Sequence, residues 1–575
     1  MLPRRSAARL AAAAASQSRS GALACRRPRG CDKIAGVSNR RLQTIAACSG
    51  ALLLSGCGGD YWLGGLPNGA GGTAGNGGSA GAAARPTEEL TADVVLTGDD
   101  TFERGDQPCV IEGHGHSIRS VEPWHGHLWL HDCRLVNVGR ETQPSLDLVM
   151  NEGAWTKVER CTFDSSGRVR VNNAADSTTI FAENTLLGNA LLAEPPLRDD
   201  ALPIFTAEGW DGTGSKVFRG NKLFKGFVLF GKTAHWLIGG DTAADSNIIV
   251  GRRAGIDLWG SDFVVRGNYV HDIYVTSPDQ PLGNQESALG VVYETTPDVL
   301  IEHNVLRKGH WVVRGVTGEF RYNAVLDPGS SGWLQQPFEN TKVHHNLFLT
   351  YAYSGEEQGL ASGSTHIESG LSLVNFRKTG IEVFNNTFDG GGLQRYFTGP
   401  ALDVDADSVL DSLRNNVFMR FRFEVADDSQ AAVRPPLTEG IVPMPARVGY
   451  ADYNLFYAPD VPRPRNYALG VKGLTPRVDA GFGLNDAHAL GPLDEQVDPQ
   501  FRQEPPLSLP FSEGDVVSGK LSVWQVLAQL RELYTPAAQS PLVDAGDPAD
   551  GDGTDIGAIG AGVPQADDRF GGTQP

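Results

Sequence analysis

The chain has 575 residues and a formal net charge of −19, with 68 acidic against 49 basic residues. Its 70 glycines and 34 prolines suit a loop-rich all-β chain. So acidic a body repels nucleic acid and anionic lipid surfaces, which excludes both as general partners.

Residues 1–56 read as a secretion signal outside the fold. Arg40 and Arg41 precede the apolar run TIAACSGALLLSG, which ends at Cys57. Leu54-Ser55-Gly56-Cys57 has the form of a bacterial lipoprotein cleavage box, in which Cys57 is lipidated and becomes the new N-terminus. The apolar run is shorter than the ~20 residues a membrane-spanning helix needs. Residues 57–85 form a Gly/Ala-rich tether with nothing to bury. Loss of 1–56 leaves 39 basic against 67 acidic residues, a net charge near −28. The location expected is the bacterial cell envelope, extracytoplasmic, with a lipid anchor at the outer membrane or cell surface.

Residues 86–109 are expected to cap the first coil, 110–460 to form a repeating body, and 461–575 to add the last coils and a cap. One phrase recurs through the body: a short run of alternating apolar residues, an Asn, then a second apolar run. It reads DVLIEHNVL at 298–306, GEFRYNAVL at 318–326 and TKVHHNLFL at 341–349. Further copies surround Asn184, Asn221, Asn268, Asn386, Asn416 and Asn454, and Cys133 and Cys161 take the same place in two early copies. Alternation marks strands with one buried face. The Asn marks a corner, since it tolerates left-handed dihedrals and bonds nearby backbone. Asn304, Asn323 and Asn346 are roughly 20 residues apart, the length of one solenoid coil. Stacked about 4.8 Å apart, the coils would line equivalent Asn side chains into a ladder.

Stretches 193–205, 277–286, 353–370 and 427–448 read as inserts leaving the stack. Residues 522–534 break the β pattern. Val523, Val526, Leu527, Leu530 and Leu533 have helical spacing, so one amphipathic helix is expected there, packed on the terminal coil.

The recurring phrase resembles that of the right-handed parallel β-helix proteins, the pectate-lyase-like superfamily. CVIEGHGHSI (109–118) is similar to that family's first coil. DPQF (498–501), SPLVDAGDP (540–548) and DIGA (555–558) are similar to the ending of many bacterial members. The resemblance spans roughly Val110 to Gly560. The fold expected is therefore all-β: a single-stranded right-handed parallel β-helix with short terminal caps and one C-terminal amphipathic helix, as a monomer.

Such proteins work on an outward sheet face, and alternation gives the outward positions. They are Asp257 and Trp259 in GIDLWG, Glu294 in SALGVVYE, Arg314 in WVVRGV, Trp333 and Gln335 in GWLQQ, and Asp403 and Asp405 in ALDVDA. Indole faces stack on sugar rings, and carboxylates hold Ca²⁺ or exchange protons. The resemblance implies a polysaccharide partner and a lyase of acidic glycans, whose base is usually Lys or Arg. RKGHWVVR (307–314) offers Lys308, His310 and Arg314 near Glu294 as the catalytic group. Asp257, Trp259, Trp333, Gln335, Asp403 and Asp405 would then bind substrate. The polygalacturonase branch shows NTD, DD, GHG and RIK motifs; only GHG occurs here, at 113–115, which counts against a polygalacturonase. The alternative is a non-catalytic surface module that binds glycan or a partner cell.

Three further features are open to more than one reading. Cys133 and Cys161 form either a bridge between coils or two stacked buried thiols. Five His crowd residues 114–132, and His125 and His127 would share a face on a strand, without a zinc spacing. DPADGDGTD (547–555) resembles a calcium loop but lacks the terminal Glu of an EF-hand, and reads otherwise as an Asp/Gly turn. Ca²⁺ is the one cofactor the sequence suggests.

Overall fold

In a computed structural model of the chain, the described residues lie between 87 and 560. They exclude 106–108, 141–142, 174–175, 188–202, 210–213, 225, 252–253, 272–286, 292–297, 309–310, 328–331, 338, 352–370, 374–379, 392–401, 405–409, 421–447, 458–487, 491–496 and 552. The chain divides into Met1–Ala82 and Ala83–Pro575, and every described residue belongs to the second unit. The tether and Cys57 therefore lie outside the described residues.

The described strands build three all-parallel sheets of 14, 12 and 13 strands, each taking every third strand in chain order until the last coil, which has no described strand in the 12-stranded sheet. Each coil passes through the 12-stranded, then the 13-stranded, then the 14-stranded sheet. This is a parallel β-helix. Its interior is a continuous apolar core in which like residues stack coil on coil, as Phe348, Phe388, Phe418 and Phe456 do. The sheets begin early: Thr87–Glu89, Val94–Gly98 and Thr101–Arg104 already pair with the next coil, so 86–109 contributes a strand to each sheet. Within 193–205, Phe205 opens the strand Phe205–Gly209. The inserts at 277–286 and 353–370 lie outside the described residues.

The expected ladder stands at the corner between the 13- and 14-stranded sheets. It runs unbroken from Asn184 to Asn454, each Asn Oδ1 accepting from the residue one coil earlier. Asn323 is typical. It accepts the Asn304 backbone N–H at 3.0 Å, and its amide donates to the Ile301 and Arg321 carbonyls and to Asn346. One detail differs from expectation. The left-handed residue is not the Asn but its predecessor: His303, Tyr322, His345, Asn385, Asn415 and Tyr453 have φ between 49° and 56°. The Asn is buried and pairs the backbone groups that the corner would leave unsatisfied.

The disulfide joins Cys109 to Cys133, with Cα atoms 4.7 Å apart, and Cys161 is a free buried thiol. Cys109 occupies the same row one coil earlier, so Cys133 pairs backward rather than forward. Burial pushes the Cys161 thiol up to about 12.

Two short helices follow the coils: α1 (Glu513–Ser518), which the periodicity does not reveal, and α2 (Val523–Leu533). A capping box at Ser522 and Gln525 starts α2, and Val523, Val526, Leu527 and Leu530 are buried. The helix does not close the terminal coil. The C-terminal segment instead lies along the outer face of the 14-stranded sheet, packing on residues from Ile248 to Leu455. Strands such as Val305–Arg307, Ala324–Leu326 and Leu347–Leu349 are therefore buried on both faces, whereas the early strand Thr162–Asp164 alternates. Trp524 packs on the corner residues: a Cβ at Gly267 would lie 2.9 Å from its indole, and its ring sits 5.3 Å from His303. Among the described residues no helix is long and apolar enough to cross a membrane.

Candidate functional site

Of the outward positions expected from alternation, Asp257, Trp259, Arg314, Trp333, Gln335 and Asp403 fall on strands of the 12-stranded sheet. Asp257 and Trp259 lie in the strand Ala254–Ser261, alternating with Ile256 and Leu258, which are fully buried. Register then places one residue per coil in line: Asp257, Gly290, Arg314, Gln335, Ser372 and Asp403. Four of the predicted site residues thus share one ladder row. A Cβ at Gly290 would come within 2.4 Å of Asp257 Oδ1, so the glycine makes room for that carboxylate over the rung that leads to Arg314. Arg314 is half-buried in the strand Trp311–Val316. Beside the row, Lys232 Nζ lies 4.6 Å from the Trp259 ring centroid. The strands that hold Trp333, Gln335 and Asp403 are in place, without described side chains. Glu294, His310 and Asp405 lie outside the described residues.

Within RKGHWVVR, Arg307 ends a strand of the 14-stranded sheet beneath the C-terminal segment, with Lys308 directly after it, while Arg314 belongs to the 12-stranded sheet. Arg307 is buried, with Nε 2.6 Å from Asp327 Oδ2, and its guanidinium also meets Glu513. Lys308 Nζ points to the same Glu513 at 3.9 Å. Burial alone would raise the Glu513 carboxyl; the hydrogen bond from His271 and the charges of Arg307 and Lys308 overcome it and bring it down to about 2. The expectation that Lys308 works beside Arg314 is corrected on this ground. A glycine between Lys308 and the next strand was no signal that the two cations part company.

The row also extends back through residues that alternation did not single out. Arg119, Asp147 and Arg170 occupy the same positions in earlier coils. Arg170 pairs with Asp147 at 3.7 Å and Glu208 at 3.1 Å, and Arg119 with Asp93 at 3.3 Å. The signal was present in IRSVE, LDLVM and VRVNN, each an alternating run with a charge at the matching place. This end of the row balances its own charge.

No metal centre forms among the described residues: no group of three or more His, Cys, Asp or Glu converges. His127 turns to Glu103 and His125 to the Glu152 carbonyl, so the two do not act together. In the calcium-like loop, Asp547 accepts from Ala549 N and Tyr450, Asp550 pairs with Arg414, and Asp555 accepts from Asp544 N. These carboxylates hold the C-terminal segment together and to the coils. A separate groove of about 520 Å³ opens on the 13-stranded sheet, over Val264 and Leu300, with Asp262, Asp298 and Glu319 at its rim. It is on a different sheet from Arg314. Compared with known proteins, the chain matches no family model, no curated protein and no solved structure.

Proposed function

We propose that this protein holds an acidic extracellular polysaccharide along the outer face of the 12-stranded sheet. The observation that carries the reading is the single row Asp257, Gly290, Arg314, Gln335, Ser372 and Asp403. A linear polymer meets such a face one rung at a time, so its affinity sums over neighbouring coils. Arg314 supplies the positive charge for a uronate, with a planar fork that matches a carboxylate. Asp257, which reaches over Gly290, supplies an acceptor for sugar hydroxyls. In keeping with the lipoprotein-like box, the protein acts at the bacterial envelope, anchored through Cys57.

Two outcomes of binding are compatible with the likeness to pectate-lyase-like proteins. The diversion of Lys308 to Glu513 favours a module that binds without chemistry. Arg314 and Asp257, with only Gly290 between them in the row, favour β-elimination, in which the C5 proton passes to a base, a C4–C5 double bond forms and the glycosidic oxygen departs and takes up a proton. The test pairs both readouts on alginate, pectate and glycosaminoglycans: retardation in glycan-loaded gels, and ultraviolet absorbance of the unsaturated uronate product. Arg314→Ala should weaken retardation about tenfold while leaving the thermal midpoint nearly unchanged, since the side chain leaves the core. Equal retardation of variant and parent would refute the site. Absorbance growth with the parent decides for a lyase.

A further inference from the structure

The His-rich stretch and the coil after it build a second outward surface, on the 13-stranded sheet. In His127–His131, His127, Trp129 and His131 alternate with fully buried Leu128 and Leu130. In Trp155–Glu159, Trp155, Lys157 and Glu159 alternate with buried Thr156 and Val158. Register sets His127 against Trp155, Trp129 against Lys157 and His131 against Glu159. Two Trp on the solvent side of adjacent strands are unusual, because so large an apolar ring is ordinarily buried.

The rings are arranged in order. His127 and Trp155 are parallel within 2°, with centroids 4.4 Å apart. That separation is about one coil rise, so the rings stand on edge with their faces along the solenoid axis. One face of Trp155 is covered by His127, which Glu103 holds from the other side. The opposite face looks over Thr178, its register partner in the next coil. Ser215 follows in the coil beyond, where its carbonyl accepts the Thr179 N–H at 2.9 Å. Thr and Ser side chains are short, and an indole extends well past them. The next ring along that line is His235, half exposed beside Asp262. From Trp155 to His235 is three coil rises, about 14 Å. Among the described residues the outer indole face therefore fronts a notch with a low polar floor, wider than a sugar ring is thick.

Polar groups stand beside Trp155 on its own strand, on the side of the preceding coil. Lys157 Nζ pairs with Glu159 at 2.8 Å and lies 5.5 Å from the Trp129 ring centroid. An ammonium and a carboxylate side by side on one strand can donate to and accept from neighbouring hydroxyls. The charges oppose an anionic ligand: Glu103, Glu159 and Asp132 outnumber Lys157 and Arg160 around the rings. We infer that Trp155, with Lys157 and Glu159, forms a second carbohydrate subsite that takes an uncharged pyranose residue on the outer indole face. It does not rest on the acidic-polysaccharide reading, since it uses another sheet and the opposite charge preference.

The test titrates the full chain with cellohexaose, xylohexaose and mannohexaose, and in parallel with hexagalacturonate, following tryptophan emission. At least one neutral hexamer should shift the emission of the parent. Trp155→Ala should weaken that binding about tenfold or more, as the loss of a stacking face does. Trp155→Phe, which keeps a ring, should retain most of it with an unchanged thermal midpoint, separating a lost face from a lost fold. Arg314→Ala should leave neutral-sugar binding intact. The inference is overturned if no neutral hexamer binds the parent, or if Trp155→Ala binds as tightly as the parent. Loss of hexagalacturonate binding alone overturns the first site and spares this one.

Discussion

At the scale of single residues, the ladder Asn is costly to remove, because it pairs several backbone groups at once. Asn323 satisfies the buried Ile301 carbonyl and Asn304 N–H and the part-buried Arg321 carbonyl. Asn323→Ala leaves them unpaired, at about 1–3 kcal/mol for each buried group. We expect a loss of about 3 kcal/mol or more in urea unfolding; a loss under about 1 kcal/mol would mean that water or a neighbour replaces the amide. The Asn positions were legible in the sequence because each interrupts two apolar runs. Asn247 was the exception. It follows a 3₁₀ turn, Ala243–Asp245, instead of an alternating strand, so its phrase lacks a first half. The left-handed predecessors were not legible, since His, Tyr, Asn and Gly all fill that place and share no side-chain chemistry.

At the scale of elements, α2 shows what periodicity can and cannot give. The spacing of its apolar residues fixes which face is buried. It does not say against what. The missing clue lay in the partner: Ala324–Leu326 and Leu347–Leu349 contain no polar residue, which is the pattern of strands covered on both sides. Leu530 is fully buried in that interface. Leu530→Ala should cost about 2–4 kcal/mol locally, as deletions of buried leucine do. Amide exchange should then quicken in α2 and in the strands beneath it, with strands such as Thr162–Asp164 unchanged. Uniform quickening along the whole stack would show that the segment and the coils unfold as one unit.

At the scale of the whole molecule, acid acts first through the histidines of the ladder corner. Burial, then the charges of Arg531, Arg266 and Arg321, bring His303 down to about 3. Burial, then His344, Arg531 and Arg321, hold His345 well below its ordinary value. Both stay neutral in the folded chain but take up protons near pH 6.5 when it unfolds. Their share of stability is thus intact above about pH 6.5 and is lost as pH falls from there toward about 3. Carboxylates such as Glu513, at about 2, act in a lower window, below about pH 4.3. The thermal midpoint should fall between about pH 6.5 and 4.5, and His303→Tyr, which puts at this corner the residue found at Tyr322, should flatten that slope. An unaltered slope would show that His303 does not titrate with unfolding. At this scale alternation marked Asp257, Arg314, Gln335 and Asp403, but the register that sets them in one row, with Gly290 and Ser372 between, was not legible, because coils of unequal length separate them. The parting of Lys308 from Arg314 was not legible either, because the corner between the two sheets begins at Lys308 itself, left-handed at φ 53°, with no side-chain chemistry to announce it.

The Asn ladder makes the rod's length a digital quantity. Each Asn grips only the coil before and the coil after it, and Asn304 to Asn323 is a coil without an insert. Duplicating or excising such a unit at its corner residues returns every amide to an equivalent partner, so the rod can grow or shrink by about 4.8 Å at a time. Ancestral copying errors of one coil ahead of Ile248, clear of the C-terminal segment, would then pass as neutral changes in reach, while one beneath that segment would also shift its footprint, and an error of a few residues would break the ladder and be purged.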